Sequence, residues 1–300
     1  KFMKLFDCTT YYDEELIIDL RLNMLNHYVD KFIICEAKFS HSGRKKKLNF
    51  DIKKFSKFRD KIEYVILENE PDGLVYEDED KKSESHLNWR SNSVKRIASQ
   101  RNKLFEAVNK IAEENDYIMY SDNDEIPNLD LFDPKKNRNK ITIFEQDLFY
   151  YKFNLLCDRI KWYGTRMIKK KDLINFEWLR QIKPKKYPFY RIDTFFKKDR
   201  YMDINIIQNG GWHFTRIISP EEIHKKELDT EHHDEYRASK KTPEKIRDFI
   251  KRRVIDHDHL ADSRENKFGK EFPLKQLDIN KMPKYIRENE VKYNNWLDIN

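Results

Sequence analysis

The residues best suited to chemistry lie in one stretch, YIMYSDNDEIP, from Tyr117 to Pro127. An apolar run, Tyr117, Ile118, Met119 and Tyr120, passes directly into three acids, Asp122, Asp124 and Glu125. Carboxylates held within a few ångströms raise one another's pKa, so such a cluster needs a neutralising partner. A divalent cation is the usual one. Asp122, Asn123 and Asp124 form a DxD pattern, and Mg2+ or Mn2+ prefers such hard oxygen ligands while also taking substrate phosphates. DxD recurs by chance in acidic loops, where solvated charge is the competing reading; position at the end of an apolar strand favours the metal. The EF-hand spacing with its terminal Glu is absent, which argues against that kind of calcium site.

Other segments offer fewer options. GGWHF (Gly210 to Phe214) places His213 behind a Gly pair that lets backbone approach a ligand closely. Its ring suits Mn2+, and suits equally well a packed, hydrogen-bonded position. Trp212 beside it fits a sugar face or, more simply, the core. His257-Asp258-His259 and His232-His233 lack a Cys or a spaced third ligand, and read as solvated helix ends rather than zinc sites. No G-x-S-x-G elbow, Walker loop or G-x-G-x-x-G occurs, so hydrolase and kinase readings are poor.

The elements that must position these residues alternate along the chain. MKLFDCTTYY (Met3 to Tyr12) predicts a strand, after which Asp13 caps a helix with Leu16, Ile17, Leu20, Met24 and Leu25 at helical spacing. KFIICEA (Lys31 to Ala37) predicts a second strand, apolar nearly throughout and so covered on both faces, and IEYVIL (Ile62 to Leu67) a third. The polar stretch between Asp72 and Ser93 reads as a loop. From about Trp89 to Glu114 an amphipathic helix follows, with Val94, Ile97, Ala98, Leu104, Phe105, Val108, Ile111 and Ala112 on its buried stripe. It delivers the chain into Tyr117 to Tyr120. This order predicts an α/β fold, a Rossmann-like and mostly parallel central sheet flanked by helices, with ligands bound beyond the carboxyl ends of the strands. ITIF (Ile141 to Phe144) with DLFYYKFN predicts a further strand pair, and YPFYRIDTFF (Tyr187 to Phe196) another strand. Ser219, Pro220 and Glu222 then open a helix with a capping box, and Thr242 and Pro243 open a second. The Lys- and Asn-rich tail from about Gly269 predicts a surface wrap.

Composition sets the frame. Three hundred residues can bury a substantial core. A net charge of +7 from 60 basic and 53 acidic residues is a modest excess, open to anionic partners. A nucleic-acid binder should interleave Lys and Arg with aromatics on one element, and no such element is found. Cys8, Cys35 and Cys157 lack CxxC spacing, which predicts buried reduced thiols and a reducing compartment. No stretch approaches the roughly 18 apolar residues of a membrane span, and no apolar signal segment opens the chain. The expectation is a soluble, cytoplasmic protein.

Three blocks in order, CEAKFSHSGRKKKLNF (Cys35 to Phe50), YSDNDEIP (Tyr120 to Pro127) and GGWHFTRIISPEEIHKKEL (Gly210 to Leu228), resemble the signature blocks of glycosyltransferase family 17. Linking similarity runs from about Lys4 to Asp256. The resemblance implies a GT-A-type fold over residues 1–218, with 219–300 as a helical C-terminal extension packed on the same domain. It implies a nucleotide-sugar donor, UDP-GlcNAc first, a glycan or glycoprotein acceptor, and inversion at the anomeric carbon. It also implies Mn2+ or Mg2+ held by Asp122, Asp124 and His213.

In such a transfer the metal neutralises the leaving diphosphate, which makes Asp122 part of the nucleotide site as well. Glu125 stands behind it, orienting a metal-bound water or holding a neighbouring cation. Arg101 and Lys225 are candidates to clamp the diphosphate, against the reading of exposed helix charge. The resemblance sets the loop of Lys45, Lys46 and Lys47 beside the donor, and Glu36, at a strand end, is placed to meet a nucleotide or sugar hydroxyl. Inversion by direct displacement also needs a base. Asp147 in FEQDLFYY and Asp193 in YRIDTFF sit among aromatics that could desolvate them, though a structurally hydrogen-bonded Asp is the alternative for each. Another nucleotide sugar, a metal-dependent nuclease or a non-catalytic carbohydrate-binding protein are the other readings.

Overall fold

The computed structural model describes residues 3–78, 85–185, 203–231, 233–260 and 268–299. The strand expected from Tyr187 to Phe196, and Asp193 within it, lie outside the described residues. The chain begins β1 (Leu5–Tyr11), α1 (Glu15–Leu25), β2 (Lys31–Ala37), β3 (Ile62–Leu67), α2 (His86–Ile111), β4 (Tyr117–Tyr120). The four strands stand in the order β3, β2, β1, β4, all parallel. Side chains alternate across a strand, so Phe32, Ile34, Tyr117 and Met119 enter one core with α1. Ile33, Cys35, Ile118 and Tyr120 enter another with Leu104 and Val108 of α2. Helices on both faces are the reason these strands read as unbroken apolar runs.

Two local expectations change. Asp13 does not cap α1; Glu14 precedes the helix, and its own carboxylate accepts from the amides of Tyr12 and Asp13. Helix α2 starts three residues earlier than expected, and Val94 and Ile111 on its expected stripe are exposed. The buried line instead runs through Asn92, Arg96, Gln100, Leu104 and Val108. Its first half is polar because it meets polar groups of the neighbouring loops and a strand carbonyl: Asn92 bonds Val75, Arg96 bonds Glu70, and Gln100 donates to the Cys35 carbonyl of β2.

Past β4 the chain forms β5 (Glu125–Pro127), β6 (Ile141–Tyr150), β7 (Leu155–Lys169), α3 (Phe176–Gln181), β8 (Ile204–Ile207) and β9 (Gly211–Thr215). β7 pairs antiparallel with β4 and β6; β8 and β9 lie parallel to β6, and β5 closes antiparallel on β9. ITIF and DLFY prove to be one long strand, which ends at Tyr150. Its partner β7 was unexpected, because Asp158, Arg159 and Lys161 interrupt the apolar alternation on its outer stretch.

The rest comprises α4 (Pro220–Glu227), α5 (His233–Ala238), α6 (Pro243–Arg252), β10 (Val254–His257), β11 (Phe268–Pro273), β12 (Lys275–Gln276), α7 (Lys284–Glu288) and α8 (Glu290–Tyr293). Ser219 and Glu222 form the expected capping box, and the Thr242 side chain accepts from Lys245. The tail is more than a wrap, since Met282, Ile286, Tyr293 and Leu297 are buried in the core beside α1. The three cysteines are free and buried. Among the described residues no helix is long and apolar enough to cross a membrane.

Candidate active site

Beyond the carboxyl ends of β1, β2 and β4 the loops part around a cleft of about 270 Å³. Tyr12 and Glu14 border it after β1, His41 and Lys46 after β2, and Asp122 and Asp124 after β4. Arg101 of α2 and Lys226, Asp229 and Glu231 at and after the end of α4 complete the rim. The cleft lies at a switch point: β2 lies on one side of β1 and β4 on the other, so the connections part there.

A buried arginine shapes the acid loop. Arg21 of α1, fully buried, donates from Nε and NH2 to both oxygens of Asp7, at 2.8 and 2.6 Å, and from NH2 to Ser121 Oγ at 2.6 Å. Its NH1 reaches the carbonyls of Asp122, Asn123 and Glu125 at 3.3, 3.2 and 2.8 Å. One guanidinium thus ties β1 to the whole turn from Ser121 to Glu125.

Glu125 turns away from solvent. Arg180 at the end of α3 donates to both its oxygens, at 2.6 and 2.8 Å, and to Asp122 Oδ2 at 3.0 Å. Trp162 Nε1 donates to Glu125 Oε1 at 2.6 Å. Gly164 makes room for this carboxylate, because a Cβ there would fall 2.4 Å from Glu125 Cδ. Glu125 therefore holds a neighbouring cation, Arg180. The protein itself supplies much of the neutralisation that the three acids require.

Pairing of β5 with β9 sets His213 opposite Glu125 and brings its Nε2 to 3.4 Å from Asp124 Oδ2. Burial works to raise the Asp124 pKa, but His213 overrides it and holds the carboxyl at about 2. Burial likewise opposes the His213 charge, and Asp124, Glu125 and Asp122 together still lift it above the ordinary histidine value. Desolvation opposes the charge of half-exposed Asp122, but Arg180 and Arg101 hold its carboxyl below the ordinary range as well. Among the described residues no group of three or more His, Cys, Asp or Glu side chains is already gathered around a metal position. Two carboxylates at the cleft edge, with the His213 imidazole against one of them, nonetheless fit a cation that takes its remaining ligands from phosphate oxygens, the usual arrangement for Mg2+.

Of the expected phosphate clamps, Arg101 borders the cleft, held by the Tyr120 hydroxyl at 2.9 Å and Glu177 at 2.6 Å. Lys225 is exposed and outside it. The cation in that position is its neighbour Lys226, paired with Glu14; burial opposes its charge, but Glu14 and Asp124 hold its pKa above the ordinary lysine value. Helical phase held the clue, since Lys226 is three residues past buried Ile223.

Glu36 is fully buried and outside the cleft, and its carboxylate takes the amides of Asn49 and Phe50, the Tyr64 hydroxyl and Lys46. It fixes the loop after β2 instead of meeting a ligand. Of the three lysines in that loop, only Lys46 borders the cleft. Asp147 on β6 pairs with Lys161 and does not border the cleft either. Trp212 packs against the core beside Ile126. His259 meets the Tyr150 hydroxyl, and the His233 ring bonds the Thr230 carbonyl at 3.0 Å, so both serve packing.

The family profile described as Glycosyltransferase family 17 matches residues 1–184. The chain belongs to glycosyltransferase family 17. Its α/β architecture, with parallel strands leading to the acid loop, is consistent with the GT-A-type fold implied by the family resemblance. The transferase's matched span ends before β8, yet His213, Lys226, Asp229 and Glu231 reach the site from beyond it. No curated protein matches the transferase. Among solved structures, the inositol-1-phosphate CTP transferase from T. maritima overlaps with a TM-score of 0.28 at 11% identity, covering 57% of this chain and 72% of that one. An overlap that low carries no argument.

Proposed function

We propose that this glycosyltransferase is metal-dependent and inverting, and moves GlcNAc from UDP-GlcNAc to a hydroxyl of a glycan acceptor. The reading rests on one convergence: two ionised aspartates line a strand-end cleft that also receives Arg101 and Lys226, and the His213 imidazole is buried directly against one of them, Asp124. Mn2+ or Mg2+ held by Asp122, Asp124 and His213 would act as a Lewis acid toward the leaving diphosphate. Arg101 and Lys226 offer positive charge to its oxygens, and each is fixed beforehand, by Tyr120 and Glu177 or by Glu14. Charge fixed in advance needs no reorganisation as the sugar–phosphate bond breaks. Arg21 holds the Asp122 carbonyl and Arg180 the Asp122 carboxylate still in the same sense.

The test is a screen of nucleotide sugars for Mn2+-dependent release of UDP or GDP in the presence of glycan acceptors. Asp124→Ala is expected to lower turnover by ~10²–10³-fold, the scale for losing one preorganised electrostatic group, with the melting temperature little changed. Unchanged turnover would remove the metal role. Mn2+ and UDP should raise the wild-type melting temperature together by linkage. A shift produced by nucleic acid instead would favour the nuclease reading.

A further inference from the structure

Direct displacement requires a base that takes the acceptor hydroxyl's proton, and the two aspartates expected for it do not serve: Asp147 is paired outside the cleft, and Asp193 lies outside the described residues. Five described carboxylates border the cleft: Glu14, Asp122, Asp124, Asp229 and Glu231. Four are engaged. Glu14 pairs with Lys226, Asp122 with Arg180, Asp124 with His213, and Asp229 with Arg44 and the Tyr12 hydroxyl. A carboxylate whose lone pairs are held by a cation is a poor proton acceptor. Glu231, half-buried, has no hydrogen bond or ion pair among the described residues.

We propose that Glu231 is the catalytic base of the transferase. This rests on the inverting reading above. Glu231 stands on the short link between α4 and α5, and so reaches the cleft from a different part of the chain than the aspartates after β4. Glu231, Asp122 and His41 all border the same cleft. The link is anchored two residues earlier, where Asp229 takes Tyr12 from the loop after β1 and Ser42 and Arg44 from the loop after β2. The backbone is anchored, and among the described residues nothing holds the carboxylate. In the step, a Glu231 oxygen accepts the acceptor hydroxyl proton as that oxygen bonds to the anomeric carbon. The bond from that carbon to the phosphate oxygen breaks, and the nucleoside diphosphate leaves with the electron pair. Glu231 then returns the proton to solvent. Asp13, whose carboxyl burial and Glu14 push up to about 6, does not border the cleft, and geometry comes before pKa in choosing a base.

The experiment compares Glu231→Gln, Glu231→Asp and Asp13→Asn with wild type on the nucleotide sugar the wild type consumes, alongside UDP and Mn2+ binding by thermal shift. Expected for Glu231→Gln is a fall in kcat of ~10²–10⁴-fold with donor KM and the UDP thermal shift unchanged, the range for losing a general base. Glu231→Asp should recover part of it, and Asp13→Asn should keep wild-type turnover. Glu231→Gln turning over within about 3-fold of wild type, or Asp13→Asn losing turnover in its place, would overturn the assignment and leave the transferase reading intact. A wild type that consumes no nucleotide sugar would remove both.

Discussion

Asp13 sits in the loop after β1, half-buried beside Glu14 and only partly compensated by Lys226 and Lys225, and its carboxyl is pushed up to about 6. In the unfolded chain the same group titrates near 3.8. Between those values the native state keeps a proton that the unfolded state has released, so stability falls as pH rises through that window and is level above it. The sign is opposite to that of a salt-bridged aspartate. Asp13→Asn should therefore stabilise the protein by ~1 kcal/mol near neutral pH, after discounting for solvent screening of a partly exposed group, and should change nothing near pH 4. Urea midpoints at the two pH values check this. Equal shifts at both would mean that the effect lies outside the ionisation.

At the scale of elements, α1 and β1 act on the acid loop through Arg21, whose side chain is 0% exposed against 1% for Asp7. Arg21→Ala leaves Asp7 charged, buried and unpaired, which is expected to cost about 3–5 kcal/mol by chemical denaturation. Arg21→Lys keeps the charge and loses the fork, so it should recover stability only in part. The parallel strands β1 to β4, the Ser219 capping box and the position of the acids were legible in the sequence because each depends on local periodicity or on neighbours within a few residues. The buried arginines were half legible. Arg21 falls between Ile17 and Leu25 at spacings of four, and Arg96 lies four residues before Gln100 on the same buried line, so a charge on a helix's inner stripe marked each. What each charge meets depends on residues far away in sequence, Asp7 and the Ser121 to Glu125 turn for one, Glu70 for the other. Arg180 had no periodic signal, and the free state of Glu231 emerges only once every other cleft carboxylate has found its partner.

Over the whole molecule the C-terminal residues behave as part of the transferase core, and we expect one cooperative unit instead of a catalytic domain with a detachable extension. Tyr293 makes the case. Its ring stands edge-on to Phe153 at 5.3 Å, and Phe153 in turn stands edge-on to Phe214 of β9 at 4.9 Å, the strand that carries His213. The ring is wholly buried, and its hydroxyl has no hydrogen-bond partner among the described residues. The two halves of the side chain therefore have opposite effects. Tyr293→Phe removes a buried unsatisfied hydroxyl and should raise stability by ~1 kcal/mol. Tyr293→Ala removes the ring and leaves a cavity, and should lower stability by about 3–5 kcal/mol. A chain ended at residue 218 loses Met282, Ile286, Tyr293 and Leu297 from the core together with Lys226, Asp229 and Glu231 from the cleft. It should unfold without a cooperative transition and fail to bind UDP. Near-UV circular dichroism with heating, read beside UDP binding, decides the matter: a truncated chain that melts sharply and still binds nucleotide would show that the first 218 residues fold alone and would confine the tail to a covering role.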